Sequence, residues 1–152
     1  MNKLNTVRIL HLAFCAGPSL FVVVALLING GNLDFNFDNI GQEPGLIIAP
    51  IMTITLIPLS TFLYRTLLKK ATENPTLTVS DKFMQYQIAF LVRCALIESA
   101  ALFNGVMIIL TGNAIPLIFA FIAIVALWLA RPTKEKIQED LKLQYPDTLE
   151  GY

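Results

Sequence analysis

The chain of 152 residues has few charges, one histidine and two cysteines. Charged side chains make up 14% of the residues and hydrophobic ones 55%, whereas soluble domains carry about 25% charged residues. A soluble domain of this size could not bury so much apolar surface, which excludes water-soluble enzymes and binding modules. The formal net charge of zero excludes a basic nucleic-acid binder. Two cysteines are too few for a disulfide scaffold.

The motifs that usually carry chemistry are also missing. The sequence contains no glycine-rich phosphate loop, no metal-ligand spacing and no Ser/His/Asp set. Because His11 is the one histidine, most metal and acid–base sites lack their usual side chains. We therefore expect a protein that is not an enzyme, binds no metal or cofactor and has no nucleic-acid partner.

Long stretches with little or no charge are what the sequence does contain. About 20 apolar residues in a helix cross the ~30 Å of hydrocarbon in a bilayer. The uncharged stretch from Ser99 to Ala130 is too long for one such helix, and Gly112 and Pro116 divide it into two. The pattern predicts an all-α, polytopic membrane protein with four transmembrane helices over residues 9–29, 45–64, 84–111 and 115–131.

The distribution of basic residues predicts the orientation of these helices. Basic residues precede the first span, lie between the second and third and follow the fourth. The loop over residues 30–44 contains three acidic residues and no Lys or Arg. Because cytoplasmic loops are enriched in Lys and Arg, both termini are expected in the cytoplasm. The bases are Lys3, Arg8, Arg65, Lys69, Lys70, Lys82, Arg131, Lys134 and Lys136, and the acids of the loop are Asp34, Asp38 and Glu43.

The same pattern divides the chain into two parts. Residues 1–131 form the transmembrane domain, with an uncleaved first helix, since the alternative of a cleaved signal peptide requires a shorter apolar run and a small-residue cleavage site. Residues 132–152 form a cytoplasmic amphipathic helix and a tail. Ile137 and Leu141 share a face of that helix, which suits the inner membrane surface or a partner.

The two halves of the membrane domain resemble each other. Gly30 corresponds to Gly112 at a helix end, and Arg65 corresponds to Arg131 at the inner boundary. These matches predict two similar hairpins in the same orientation, a parallel repeat with a pseudo-two-fold axis along the membrane normal. Chance similarity between apolar segments is the alternative.

Small residues recur four positions apart at the matched positions. They are Ala13 and Gly17 in the first span and Ala95 and Ser99 in the third. Because helices in lipid associate where small residues permit close approach, this spacing predicts a helix-packing face. The alternative is that alanine and glycine are simply common in such helices.

Glu98 lies inside the third span, where a carboxylate is costly and usually faces a bundle interior or water. Three roles are open: a packing contact with Ser60, Thr61 or Tyr64 of the second span, binding of a proton or cation during transport, or an extended side chain that reaches the inner interface. His11 could form a proton relay with Glu98, or could be an ordinary polar residue at the interface.

Two resemblances add to this interpretation. The segments Arg93-Cys-Ala-Leu-Ile-Glu98-Ser-Ala-Ala-Leu-Phe103 and Ala130-Arg-Pro-Thr-Lys-Glu-Lys-Ile137 resemble a group of small four-span inner-membrane proteins of Bacteroidetes, over the whole chain. This resemblance implies a bacterial inner membrane and no specific function. The stretch from Ala95 to Phe103 also looks like the ion-carrying helix of rotary-ATPase proteolipids, which implies a proton or sodium ion at Glu98. This sequence departs from that family in two ways. The family has its acid on the second helix of each hairpin, whereas Glu98 lies on the first. The family's other helix is rich in glycine, whereas the first, second and fourth spans here are not.

Two functional hypotheses follow. The first is a non-enzymatic accessory or assembly component that resides in the lipid bilayer and associates with itself or with a larger membrane complex. The second is a small oligomeric proton- or cation-coupled transporter or channel subunit that uses Glu98. Because four helices rarely enclose a pathway alone, the second hypothesis requires an oligomer.

Overall fold

The described part of the chain is all-α, as the sequence predicts. A computed structural model describes residues 3–37, 41–74 and 76–143, so Asp38 and the tail from residue 144 lie outside the described residues. These residues contain no strand beyond a single isolated bridge between Asp34 and Asn113. The helices are α1 (Lys3–Ile28), α2 (Pro44–Thr72), α3 (Val79–Thr111), α4 (Ile115–Leu129) and α5 (Lys134–Asp140).

Local sequence signals set the ends of these helices. Pro44 opens α2, where its missing N–H is no loss because the first turn has no partner for it. Thr78 and Asp81 form a reciprocal capping box at the start of α3. Gly112 ends α3 in the left-handed conformation with φ 62°, which costs glycine little. The predicted break between the third and fourth spans is confirmed at this position.

Three of the helices, α1, α2 and α3, are each long and apolar enough to cross a membrane. Helix α4 has 15 residues and meets this test only together with α5, from which it is bent by 85°. At ~1.5 Å per residue, α4 is about 22 Å long, which is less than the ~30 Å of hydrocarbon. The structure therefore supports a multi-pass membrane protein with three to four spanning helices.

The outer surface of the bundle is apolar. Large hydrophobic side chains project from α1, α3 and α4 with high exposure, for example Leu27 at 73%, Leu110 at 71% and Leu129 at 75%. Water would solvate such a surface poorly, whereas lipid chains solvate it well. This surface is consistent with a helix bundle surrounded by lipid.

Helix α3 is the centre of the bundle. It packs against α1, α2 and α4, and α4 also packs against α1 and α2, whereas α1 and α2 make little contact with each other. The core is built mainly from α3 side chains, among them Phe83, Tyr86, Phe90 and Ile97. Two equivalent hairpins would pack alike, but here α3 and α4 pack directly and α1 and α2 do not. The internal repeat therefore stays a prediction.

Basic side chains cluster at one end of the bundle. At the other end, backbone hydrogen bonds join two loops. At the basic end, Lys3 Nζ donates to Ser80 Oγ at 3.0 Å, and Arg8 and Arg131 line one cavity. At the opposite end, the Asp34 N–H donates to the Gly112 carbonyl at 3.0 Å, which joins the first loop to the α3–α4 turn. The sequence predicts this segregation of charge, and the fold preserves it.

Helix α5 folds back onto the basic end of the bundle. Its Ile137 and Leu141 are fully buried and belong to the same core as Tyr64 and Phe83. The apolar face of α5, which the sequence assigns to the membrane surface or a partner, therefore packs against the chain's own helices. The hydroxyl of Tyr64 donates to Asp140 Oδ2 at 2.5 Å and adds a polar contact between α2 and α5.

Candidate functional site

Glu98 lies at the junction of α1 and α3. A Cβ atom placed on Gly17 would lie 3.1 Å from Glu98 Oε1, so the missing side chain of Gly17 makes room for the carboxyl group. Glu98 is half-buried. In the ranges 3–37, 41–74 and 76–143 its carboxylate has no hydrogen-bond or ion-pair partner. An acid at this position is held next to a small residue and is not neutralised by the described chain.

The three predicted partners of Glu98 make other contacts. Ser60 and Thr61 both donate to the carbonyl of Ile57, at 2.7 Å and 3.3 Å, so their hydroxyls bond to their own helix. Tyr64 donates to Asp140 of α5. The described residues therefore show no hydrogen bond between Glu98 and any of these three side chains.

His11 is buried between α1, α3 and α4. Its Nε2 lies 2.8 Å from the carbonyl of Leu127, which can only accept, so Nε2 carries the proton and donates to α4. The same nitrogen lies 3.6 Å from Cys15 Sγ, and the ring is tilted against Phe90 at 6.0 Å between centroids. His11 thus links helices, and no hydrogen bond joins it to Glu98 in the described part of the chain.

The predicted small-residue positions lie on the surface of the single chain. Ala13, Gly17, Ala95 and Ser99 are all exposed, and Gly17 lies directly beside Glu98. Ser99 Oγ donates to the carbonyl of Leu96 within α3, at 2.8 Å. These residues leave an open surface of small side chains around a carboxylate at the α1–α3 junction.

Close packing inside the chain uses a glycine that sequence reasoning missed. A Cβ atom on Gly105 would lie 2.6 Å from Phe21 Cδ1, so the ring of Phe21 rests on the bare backbone of α3. The signal in the sequence is a glycine inside the uncharged stretch from Ser99 to Ala130, which identifies a position of close approach without identifying the neighbour.

A buried amide in the middle of α3 was also missed. Asn104 Nδ2 donates to Thr53 Oγ1 at 2.8 Å and to the carbonyl of Ala100 at 2.8 Å. Its Oδ1 is buried and has no partner in the described residues. An amide inside a membrane span is a recognisable signal, because a polar group there requires a partner.

The described residues contain no group of three or more His, Cys, Asp or Glu side chains that could hold a metal ion. No family model, no curated protein and no solved structure matches the chain. The resemblance to small Bacteroidetes membrane proteins consequently rests on the sequence segments alone.

Proposed function

We propose that this chain is a non-enzymatic accessory or assembly component of a bacterial inner-membrane complex. It crosses the membrane four times, with the short α4 as the fourth span and with both termini in the cytoplasm. The segregation of bases to one end of the bundle supports this orientation, since cytoplasmic loops are enriched in Lys and Arg.

The surface around Glu98 is the observation that carries the assembly role. A carboxylate that faces lipid is costly, and intramembrane acids usually face another helix or water. Glu98 has no partner in the described chain, and the exposed neighbours Gly17, Ala95 and Ser99 are small enough for another helix to approach closely. A helix of a second copy or of another membrane protein would bury the acid and supply its hydrogen-bond donor.

Cysteine cross-linking in native membranes tests this role. In a chain that carries Cys15→Ala and Cys94→Ala, the variant Ala95→Cys is treated with a bifunctional maleimide. The expected result is a specific adduct, either a dimer or a complex of larger mass. The matched control is Phe121→Cys, because Phe121 is also exposed but lies on α4, which carries neither Glu98 nor Gly17.

Equal cross-linking at both positions would indicate random collision in the membrane and would contradict the proposal, as would no adduct at Ala95. Variants of Glu98 distinguish a hydrogen bond to the carboxyl group from close packing on the small residues. If a hydrogen bond to the acid holds the partner, the amide keeps part of the adduct and Glu98→Leu loses it.

A second candidate is a small oligomeric proton- or cation-coupled transporter or channel subunit. The unpartnered state of Glu98 in the described chain favours it, because a free carboxylate in the membrane is the group that such proteins use for ion binding. Reconstituted wild-type protein is compared with Glu98→Gln for proton and sodium flux in proteoliposomes. Flux that is present in the wild type and absent in the variant supports transport, and no flux in the wild type rejects it.

A further inference from the structure

A basic cavity opens at the basic end of the bundle, between α2, α3 and α5. Its volume is about 410 Å³. Five bases line it together with one acid, Asp140, so its charge is strongly positive. The bases are Arg65, Lys69, Arg93, Lys136 and Lys142.

The chain itself does little to neutralise this charge. Lys69 pairs with Glu73 at 3.6 Å, and both side chains are largely exposed, so solvent weakens that pair. Across residues 3–37, 41–74 and 76–143, the other four bases make no ion pair. Asp140 already accepts the Tyr64 hydroxyl. Five bases around a cavity with a single acid repel one another, and an anion in the cavity would relieve that repulsion.

Arg93 is held in place at the wall of the cavity. Its guanidinium carbon lies 5.0 Å from the centroid of the Tyr64 ring, and the Tyr64 hydroxyl is fixed by Asp140. Its Nε is buried and has no hydrogen-bond partner in the described chain. Because Nε is shielded, only the terminal N–H groups of the guanidinium are available to a ligand, and a fork that is held against an aromatic ring without an ion pair in the described residues suits phosphate oxygens.

The position of the cavity relative to the membrane favours a lipid. Its α2 wall runs from Thr61, inside the second predicted span, to Thr72, the last residue of the helix. At ~1.5 Å per residue these 11 steps cover about 16 Å, which includes the region where lipid headgroups lie. Basic pockets between membrane helices at this level bind anionic headgroups.

We propose that this cavity binds a phosphate group, supplied by the headgroup of an anionic phospholipid. Arg93 and Arg65 bond to the phosphate oxygens, and Lys136 of α5 and Lys142, which follows α5, add positive charge on the opposite wall. This site is independent of the proposed assembly role of Glu98, because the two lie on different sets of residues.

Native mass spectrometry of the purified full-length protein in a neutral detergent tests the site. The probes are dioctanoyl phosphatidylglycerol, dioctanoyl phosphatidylcholine and inorganic phosphate. The cavity variant is R65Q/K142Q, whose two side chains are exposed, so their loss leaves the helix packing intact. The matched control is K70Q/K82Q, which removes the same charge from the same end of the bundle outside the cavity. Circular dichroism verifies that both variants are folded.

We expect the wild type to bind one phosphatidylglycerol per chain. The affinity should fall at least about tenfold in R65Q/K142Q and stay almost unchanged in K70Q/K82Q. Arg93→Lys, which keeps the charge and loses the planar fork, also weakens binding. If inorganic phosphate binds as tightly as the lipid and depends on the same bases, the phosphate site stands and its source is a soluble anion. The proposal is overturned if the cavity variant binds like the wild type, if both double variants lose binding equally, or if phosphatidylcholine binds as tightly.

Discussion

Single residues inside the bundle make contacts that decide how the helices fit together. Asn104 is fully buried and links α3 to Thr53 of α2 through its amide nitrogen. In lipid there is no water to replace a lost partner, so a polar side chain at this depth acts on stability through the bonds that it makes. The same reasoning applies to Gly105, whose missing side chain admits Phe21.

Replacement of Asn104 by alanine is expected to destabilise the bundle by about 1–2 kcal/mol. The change removes the interhelical hydrogen bond to Thr53 and a longer one, 3.5 Å, to the Ala49 carbonyl, and it leaves a cavity. An interhelical bond is worth about 0.6 kcal/mol on average in membranes. Reversible unfolding in mixed micelles of a neutral and a denaturing detergent measures the loss. The control is Thr53→Val, which removes the bond with little change in volume and should cost about half as much. A stability equal to wild type for Asn104→Ala would show that the amide contributes nothing.

Gly105→Ala is expected to destabilise the protein by about 1–3 kcal/mol through overpacking against the Phe21 ring. The matched control is Gly45→Ala, whose new methyl group would meet the end of the Met107 side chain. Because a methionine end moves easily, that variant should cost less than about 1 kcal/mol. The same detergent-unfolding assay compares the two variants, and equal losses would contradict the rigidity assigned to the Phe21 contact.

Much of the chemistry at this scale was not predictable from sequence. The acid Glu98 and the small residue Gly17 stand out in the sequence, and the structure places them side by side. The partners of Tyr64 and Asn104 were not, because Asp140 and Thr53 are far from them in the chain. Such pairs are fixed by how helices pack, and a single sequence records only which side chains need a partner.

At the scale of the helices, the sequence signals are much clearer. Each predicted span overlaps one of the helices α1 to α4, because long charge gaps and turn residues such as Gly112 define helices locally. The sequence did not reveal that α4 is short for a span, nor that α5 is bent by 85° onto the bundle. Both facts depend on the packing of Ile137 and Leu141 against distant helices.

The start of α3 is expected to become less stable as the solution is acidified. Hydrogen bonds from Thr78 to the Asp81 carboxylate lower the pKa of this side chain below its ordinary value of 3.8. A lowered pKa in the folded state gives stabilisation that is present above the ordinary pKa and lost as pH falls through the folded pKa. Amide hydrogen exchange of the first turn of α3, compared at pH 5 and at about pH 3, measures the change. In Asp81→Asn this pH dependence should disappear, and an unchanged dependence would assign it to another group.

At the scale of the whole molecule, charge is distributed unequally between the two ends. The basic end contains both the start of α1 and the end of α4, and the opposite end carries Asp34 and Glu43. Alternation of the helices places these ends on opposite sides of any membrane that the bundle spans.

Cysteine labelling in spheroplasts is expected to reflect this polarity. In the chain with Cys15→Ala and Cys94→Ala, a membrane-impermeant maleimide should label Phe37→Cys in intact spheroplasts. Thr76→Cys, which is also exposed, should react only after lysis. The reverse pattern would place the basic end outside and overturn the proposed orientation.

The central position of α3 has a consequence for biogenesis. Since α1 and α2 make little contact with each other, they have no stable pairing with one another before α3 is synthesised. The third helix supplies contacts to both, and the fourth then joins all three. In a bundle that spans a bilayer, tertiary folding would therefore begin only after insertion of α1 and α2, once synthesis has passed Thr111 at the end of α3.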